Sequence, residues 1–170
     1  MIAFLSGVTM YASDDAMAEA FKSLRGQNKF NIVVDWSQYT INGMNEEDWM
    51  RFRDAEQPNY DAHNELVNEL KPRFADMVKE ANEVMSKSQI YVSINDDRQP
   101  YTIVVRPLLL DGHGNQTDII TIKNSATGEQ IVQFQIKAKG GKFGSMSNLW
   151  GDGFRRTGKQ LGKTLLKYLK

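Results

Sequence analysis

The chain reads as an α+β protein: a two-layer α/β sandwich whose mixed, mainly antiparallel sheet carries a long helix and a C-terminal helix on one face. Three observations predict this. Residues 61–86 keep apolar side chains on one helical face throughout: Ala62, Leu66, Val67, Leu70, Phe74, Met77, Val78, Ala81, Val84 and Met85. Residues 101–140 hold three segments rich in β-branched and aromatic residues, separated by short Gly-containing breaks, which is the pattern of a meander. The last twenty residues return to helical spacing.

The bulk composition sets the frame. A chain of 170 residues with 41% hydrophobic and 25% charged residues suits one domain with a real core. No apolar run reaches the length of a membrane-spanning helix. Cysteine is absent, which excludes disulfides, thiolate catalysis and cysteine-ligated metals. The net charge is zero, yet it is polarised. Residues 1–70 carry 12 acids against 5 bases, and residues 135–170 carry 1 acid against 9 bases. The basic end therefore asks for an acidic counterpart, either within the fold or on a partner.

Taken in order, residues 1–12 read as a shortened secretory leader. Apolar Ile2–Val8 precedes Ala12, a residue of the size favoured before a cleavage point. The mature domain then spans 13–170. Met17, Ala20, Phe21 and Leu24 share a face of a first helix over 14–24. "FNIVVDWSQYTI", 30–41, reads as a first strand. Asn45 caps a short helix that ends near residue 53. Pro72 lies inside the long helix and implies a kink, or two helices in line. Strands follow over 88–95, 101–110, 117–124 and 130–140, the last with Val132, Phe134 and Ile136 facing the core. The final helix starts near Leu149 or Asp152 and runs to Leu169.

Several motifs invite chemistry and decline it on inspection. "GKQLGKT", 158–164, is one residue short of a phosphate-binding loop, and its glycines sit within a helical pattern. Gly158 and Gly162 cost helix propensity, so close backbone packing is the expected compensation. "DGHGNQTD", 111–118, resembles an alternating calcium loop but lacks the terminal Glu. His63 and His113 are isolated. The carboxylates of "NEEDW" and "NDD" read as a helix start and a turn. No nucleophile elbow and no dinucleotide fingerprint occurs. The expectation is therefore no catalytic residues, no metal and no cofactor. An enzyme would need a site gathered from distant residues such as Asp35, Trp36, Asp96, Asp97 and Arg98.

The feature that survives is the basic face of the last helix. Arg155, Arg156, Lys159, Lys163 and Lys167 form a candidate contact for an anionic partner.

The layout "YTIVVRPLLL…TDIITIKNSATGEQIVQFQIKAKGGKFG…WGDGFRRTGKQLGKTLLKYLK", with the "NIVVDWSQ" strand before it, resembles small bacterial envelope proteins and lipoproteins. Their α/β domain is similar to the amino-terminal domain of TolB and to the curli-secretion lipoprotein CsgG. The resemblance covers residues 30–169. It implies a non-enzymatic role in the periplasm or as a secreted protein, through a protein partner or homo-oligomer. It carries no site residues across. A lipid anchor on cysteine is missing from this chain, which favours the soluble form. The alternative is a binder of anionic membrane or nucleic acid through the basic helix, with nucleic acid the weaker of the two.

Overall fold

The computed structural model describes residues 13–170; the expected leader lies outside them. Helix α1 (Asp14–Phe21) starts at Ser13, whose hydroxyl accepts the Ala16 N–H at 3.2 Å. Strand β1 (Lys29–Val34) follows, then a two-residue strand β2 (Thr40–Ile41). Sequence pattern had merged these two into one strand. The break has a local cause: the Asp35 carboxylate accepts the Ser37 N–H at 2.9 Å, folding the backbone into a turn. The turn swings Trp36 back to pack edge-on against Tyr39 and Phe154.

Helix α2 (Glu46–Glu56) is capped by Asn45, which accepts from Asp48 N at 2.8 Å, and its first turn is acidic. The long helical stretch is continuous but not uniform. It runs through α3 (Ala62–Asn64), a π-helical segment (Glu65–Leu70), a 3-10 turn (Lys71–Arg73) and α4 (Phe74–Val84). Pro72 explains the change of register. It has no N–H to donate, and its ring crowds the carbonyl four residues back. Widening the preceding turns, so that Lys71 N–H reaches Leu66 O, absorbs that misfit without ending the helix.

Strands β3 (Tyr91–Ile94), β4 (Tyr101–Leu110), β5 (Gln116–Asn124) and β6 (Gln130–Ala138) complete the sheet. Its order is β3-β1-β4-β5-β6, with β2 beside the end of β4. β1 runs parallel to both β3 and β4, and β4-β5-β6 is an antiparallel meander. The sheet is mixed, and it does not close into a barrel. Pro107 falls where the β4–β5 register shifts, the place a central strand can tolerate a residue without N–H.

The final helix, α5 (Met146–Leu169), begins earlier than its spacing suggested, because Ser145 caps it by accepting from Asn148 N at 3.3 Å. It packs against α4, and both cover the same sheet face over one core that includes Ile32, Val105, Ile120, Val132, Met77 and Phe154. The glycines of α5 make this possible. At Gly158 a Cβ would lie 2.1 Å from the Met77 carbonyl oxygen, and at Gly162 one would lie 2.9 Å from the Ala81 oxygen. The compensation expected for two mid-helix glycines is thus direct backbone contact with α4.

Both outer strands of the sheet have part of their free edge occupied. Asn82 of α4 accepts the Val92 N–H and donates to the Val92 carbonyl, each at 2.9 Å. On β6, Gln160 donates to the Lys137 carbonyl at 3.0 Å.

Candidate anion-facing surface

The rotation of α5 is set by its small residues. With Gly158 and Gly162 against α4 and Phe154, Leu161 and Leu165 buried, the helical period turns Arg156, Lys159, Lys163 and Lys167 outward along the β6 edge. Two contacts show which side that is. Arg156 donates to the carbonyls of Lys139 and Gly140, and Gln160 reaches the Lys137 carbonyl.

Of the five cations singled out by spacing, three have internal partners. Arg155 pairs with Asp152 in its own helix and lies 3.6 Å from Asp76 in α4. Asp76 in turn meets Arg73 at 3.1 Å, so this group ties α5 to the long helix. Arg156 is held by backbone carbonyls. Lys167 contacts Asp14 of α1 at 2.8 Å, and Tyr168 donates to the same carboxylate. The Lys167 hydrogen bond is the main reason the Asp14 carboxyl is held below its ordinary range. Part of the charge polarity is therefore neutralised inside the fold. Lys159 and Lys163 remain exposed without a partner among the described residues.

The sheet adds cations that helical spacing could not reveal. Lys137 and Lys139 on and just after β6, and Lys142 in the glycine loop, are exposed; Ile136 and Ala138 are buried toward α5, so alternation turns Lys137 to the uncovered side of the sheet. Their signal in the sequence was the basic block over 135–170, not any helical period. Phe143 follows Lys142 and is 89% exposed. Lys159 and Lys163 of α5 form the short basic ridge that is left without internal partners among the described residues. Exposed charges of this kind contribute little to stability individually.

The remaining motifs are structural. Asp111 folds its own loop by accepting from the N–H groups of His113 and Asn115 and from the Asn115 amide. The loop glycines serve contact: a Cβ at Gly114 would lie 2.0 Å from the Leu149 carbonyl oxygen of α5. Among the described residues no group of three or more His, Asp or Glu is placed to hold a metal ion. In α2, Glu46 accepts from Tyr39 and from Lys71 at 2.8 Å. Burial is the largest influence and pushes its carboxyl up, but the Lys71 and Tyr39 hydrogen bonds and the Lys71 charge together outweigh it and leave it below the ordinary range. The residues considered for a dispersed active site have separate duties. Trp36 packs on Phe154, Arg98 pairs with Asp96 at 2.8 Å in the turn after β3, and Asp35 lies on the uncovered side of the sheet.

One buried site escaped the sequence reading. Asp118 on β5 is fully buried; its carboxylate accepts from Thr157 of α5 at 3.0 Å. Gln116 donates to the same Thr157 hydroxyl at 2.6 Å. The second Asp118 oxygen, Oδ1, is buried without a partner. Burial pushes this carboxyl up to about 7, against the opposing hydrogen bonds from Thr157 and Gln116. Asp118 had been grouped with Asp111 as part of a loop; it belongs to the core beneath α5.

No helix among the described residues is long and apolar enough to cross a membrane. No family model and no curated protein matches the sequence. Among solved structures, the chain is similar to a PelC dodecamer subunit from Paraburkholderia phytofirmans, with 10% identity and a TM-score of 0.40, over 79% of this chain and 88% of that one. It is also similar to a Xanthomonas campestris protein of the DUF330 family, with 8% identity and a TM-score of 0.41, over 82% of this chain and 84% of that one.

Proposed function

We propose that the chain is a non-enzymatic protein of the bacterial envelope, periplasmic or secreted, that works as a protein–protein interaction module. Its partner is an acidic protein surface, which can be the acidic first half of a second copy. The observation that carries this reading is the basic ridge of Lys159 and Lys163. Both cations are exposed on α5 and have no acidic partner among the described residues. The apolar stretch ending at Ala12 supports the extracytoplasmic placement.

Chemical crosslinking of the purified protein in a native periplasmic extract, at low and high salt, tests it. The reading expects a discrete crosslinked protein that fades as salt rises, and that is lost in the double variant Lys159→Gln, Lys163→Gln. A crosslinked species indifferent to both changes would overturn the role of the ridge.

A second reading takes an anionic lipid surface as the partner. Phe143 favours it, since a nearly fully exposed aromatic beside Lys142 is the pairing that inserts at a headgroup boundary. Cosedimentation with vesicles containing anionic lipid, using Phe143→Ser as the control, separates the two. A Phe143-dependent pellet supports the lipid partner.

A further inference from the structure

The side of the sheet away from the helices carries a groove of about 250 Å³ lined by Asp35, Val104, Arg106, Thr121, Lys123 and Gln133, together with Gly128 and Gln130. Strand alternation builds it. Ile103 and Val105 of β4 enter the core, so Val104 and Arg106 face outward. Val104 pairs with Thr121, and Thr121 with Gln133, so these side chains stand as cross-strand neighbours.

Two cations in this groove lack counterparts. Arg106 makes no hydrogen bond or ion pair among the described residues, and its Nε is buried without an acceptor. Lys123 is likewise unpaired. A buried charged donor with nothing to donate to is costly, and such groups call for an explanation. The one carboxylate lining the groove, Asp35, is already bonded to Ser37, and Arg106 and Lys123 act on it only through space. The remaining lining is hydroxyl and amide: Gln133 donates to Thr121 Oγ1 at 2.9 Å. None of the lining residues is aromatic, so the groove offers no platform for stacking a flat ring.

The geometry points to a binding site for a small hydroxylated carboxylate. The planar guanidinium of Arg106, through its terminal nitrogens and backed by Lys123, takes the carboxylate. The Asp35 carboxylate and the Gln133 and Gln130 amides take hydroxyl groups. This site is separate from the basic ridge and stands whether or not the ridge binds a protein.

Titration of isotope-labelled protein by NMR, at neutral pH and constant ionic strength, tests it with three probes: glucuronate, glucose and inorganic phosphate. Glucuronate is expected to shift the Thr121, Lys123 and Gln133 amides saturably, with glucose and phosphate binding at least about tenfold more weakly. Arg106→Gln is expected to weaken glucuronate by roughly 10–100-fold, and Lys123→Gln by less. Arg106→Lys keeps the charge but loses the fork, and should also weaken binding. Lys163→Gln should leave it unchanged. Shifts that are absent, that do not saturate or that survive Arg106→Gln overturn the site. Phosphate binding as tightly as glucuronate overturns the part assigned to Asp35 and the amides.

Discussion

Gly158 of α5 stands against Met77 of α4 so closely that any side chain there would enter the Met77 carbonyl: a Cβ would lie 2.1 Å from the oxygen. Backbone cannot move aside as a flexible side chain can. Gly158→Ala is therefore expected to destabilise by about 1–3 kcal/mol, despite the gain in helix propensity. Gly162→Ala, with its nearest contact at 2.9 Å, should cost less. Urea denaturation of both variants checks the order. A Gly158→Ala protein as stable as the parent would mean α5 and α4 are not packed in this way.

Asp118 makes stability depend on pH in an unusual direction. Its folded-state value near 7 lies above the ordinary 3.8 expected when unfolded. The folded protein thus holds a proton that the unfolded chain releases. This contribution to stability is complete below about pH 4 and is lost as pH rises toward 7. Asp118→Asn keeps the shape and removes the titration. It should flatten the pH profile between those values and be more stable than the parent above neutrality, by roughly 1–3 kcal/mol. Thermal melts across that range decide the matter; identical profiles would refute it.

Removing the Asn82 side chain should expose the edge of β3. Asn82→Ala deletes both hydrogen bonds to Val92 and leaves its N–H and C=O facing outward. A cost of about 1–2 kcal/mol is expected, with faster hydrogen exchange at the Val92 amide and more aggregation on light scattering.

Neutralising Asp14 tests how far the basic helix is held by the fold itself. Asp14→Asn should free Lys167 from its carboxylate and lower the lysine's titration toward the ordinary range, since the Asp14 hydrogen bond is the largest influence raising it, with Tyr168 second. NMR titration of the Lys167 side chain reads this directly. Any partner affinity carried by the ridge should rise with one more available cation, or stay level, and should not fall.

Much of this architecture could be read from the chain. The apolar stripe from Ala62 to Met85 is long enough to outweigh Pro72, and the alternation at Val132, Phe134 and Ile136 assigns β6 without help. The caps at Asn45 and the near-miss at "GKQLGKT" were also legible, because each rests on local spacing. What escaped depends on distance in the chain. Strand order came from pairing β1 with residues far downstream, which no periodicity encodes. The Asp118–Thr157–Gln116 group joins β5 to a helix about forty residues away. The split of 30–41 into two strands turned on one side-chain bond from Asp35, below the reach of composition.

The central place of β1 also dictates an order of assembly. β4, β5 and β6 are neighbours in the chain and joined by tight turns, so they can zip early and locally. β1 instead slots between β3 and β4, each of its pairings closing a loop of roughly sixty residues or more. A chain emerging from synthesis cannot complete its sheet until the meander has appeared, and α5 can seat its glycines only after α4 is in place. Closure of the sheet and seating of α5 therefore come late, after the segments made first have waited for partners made long after them.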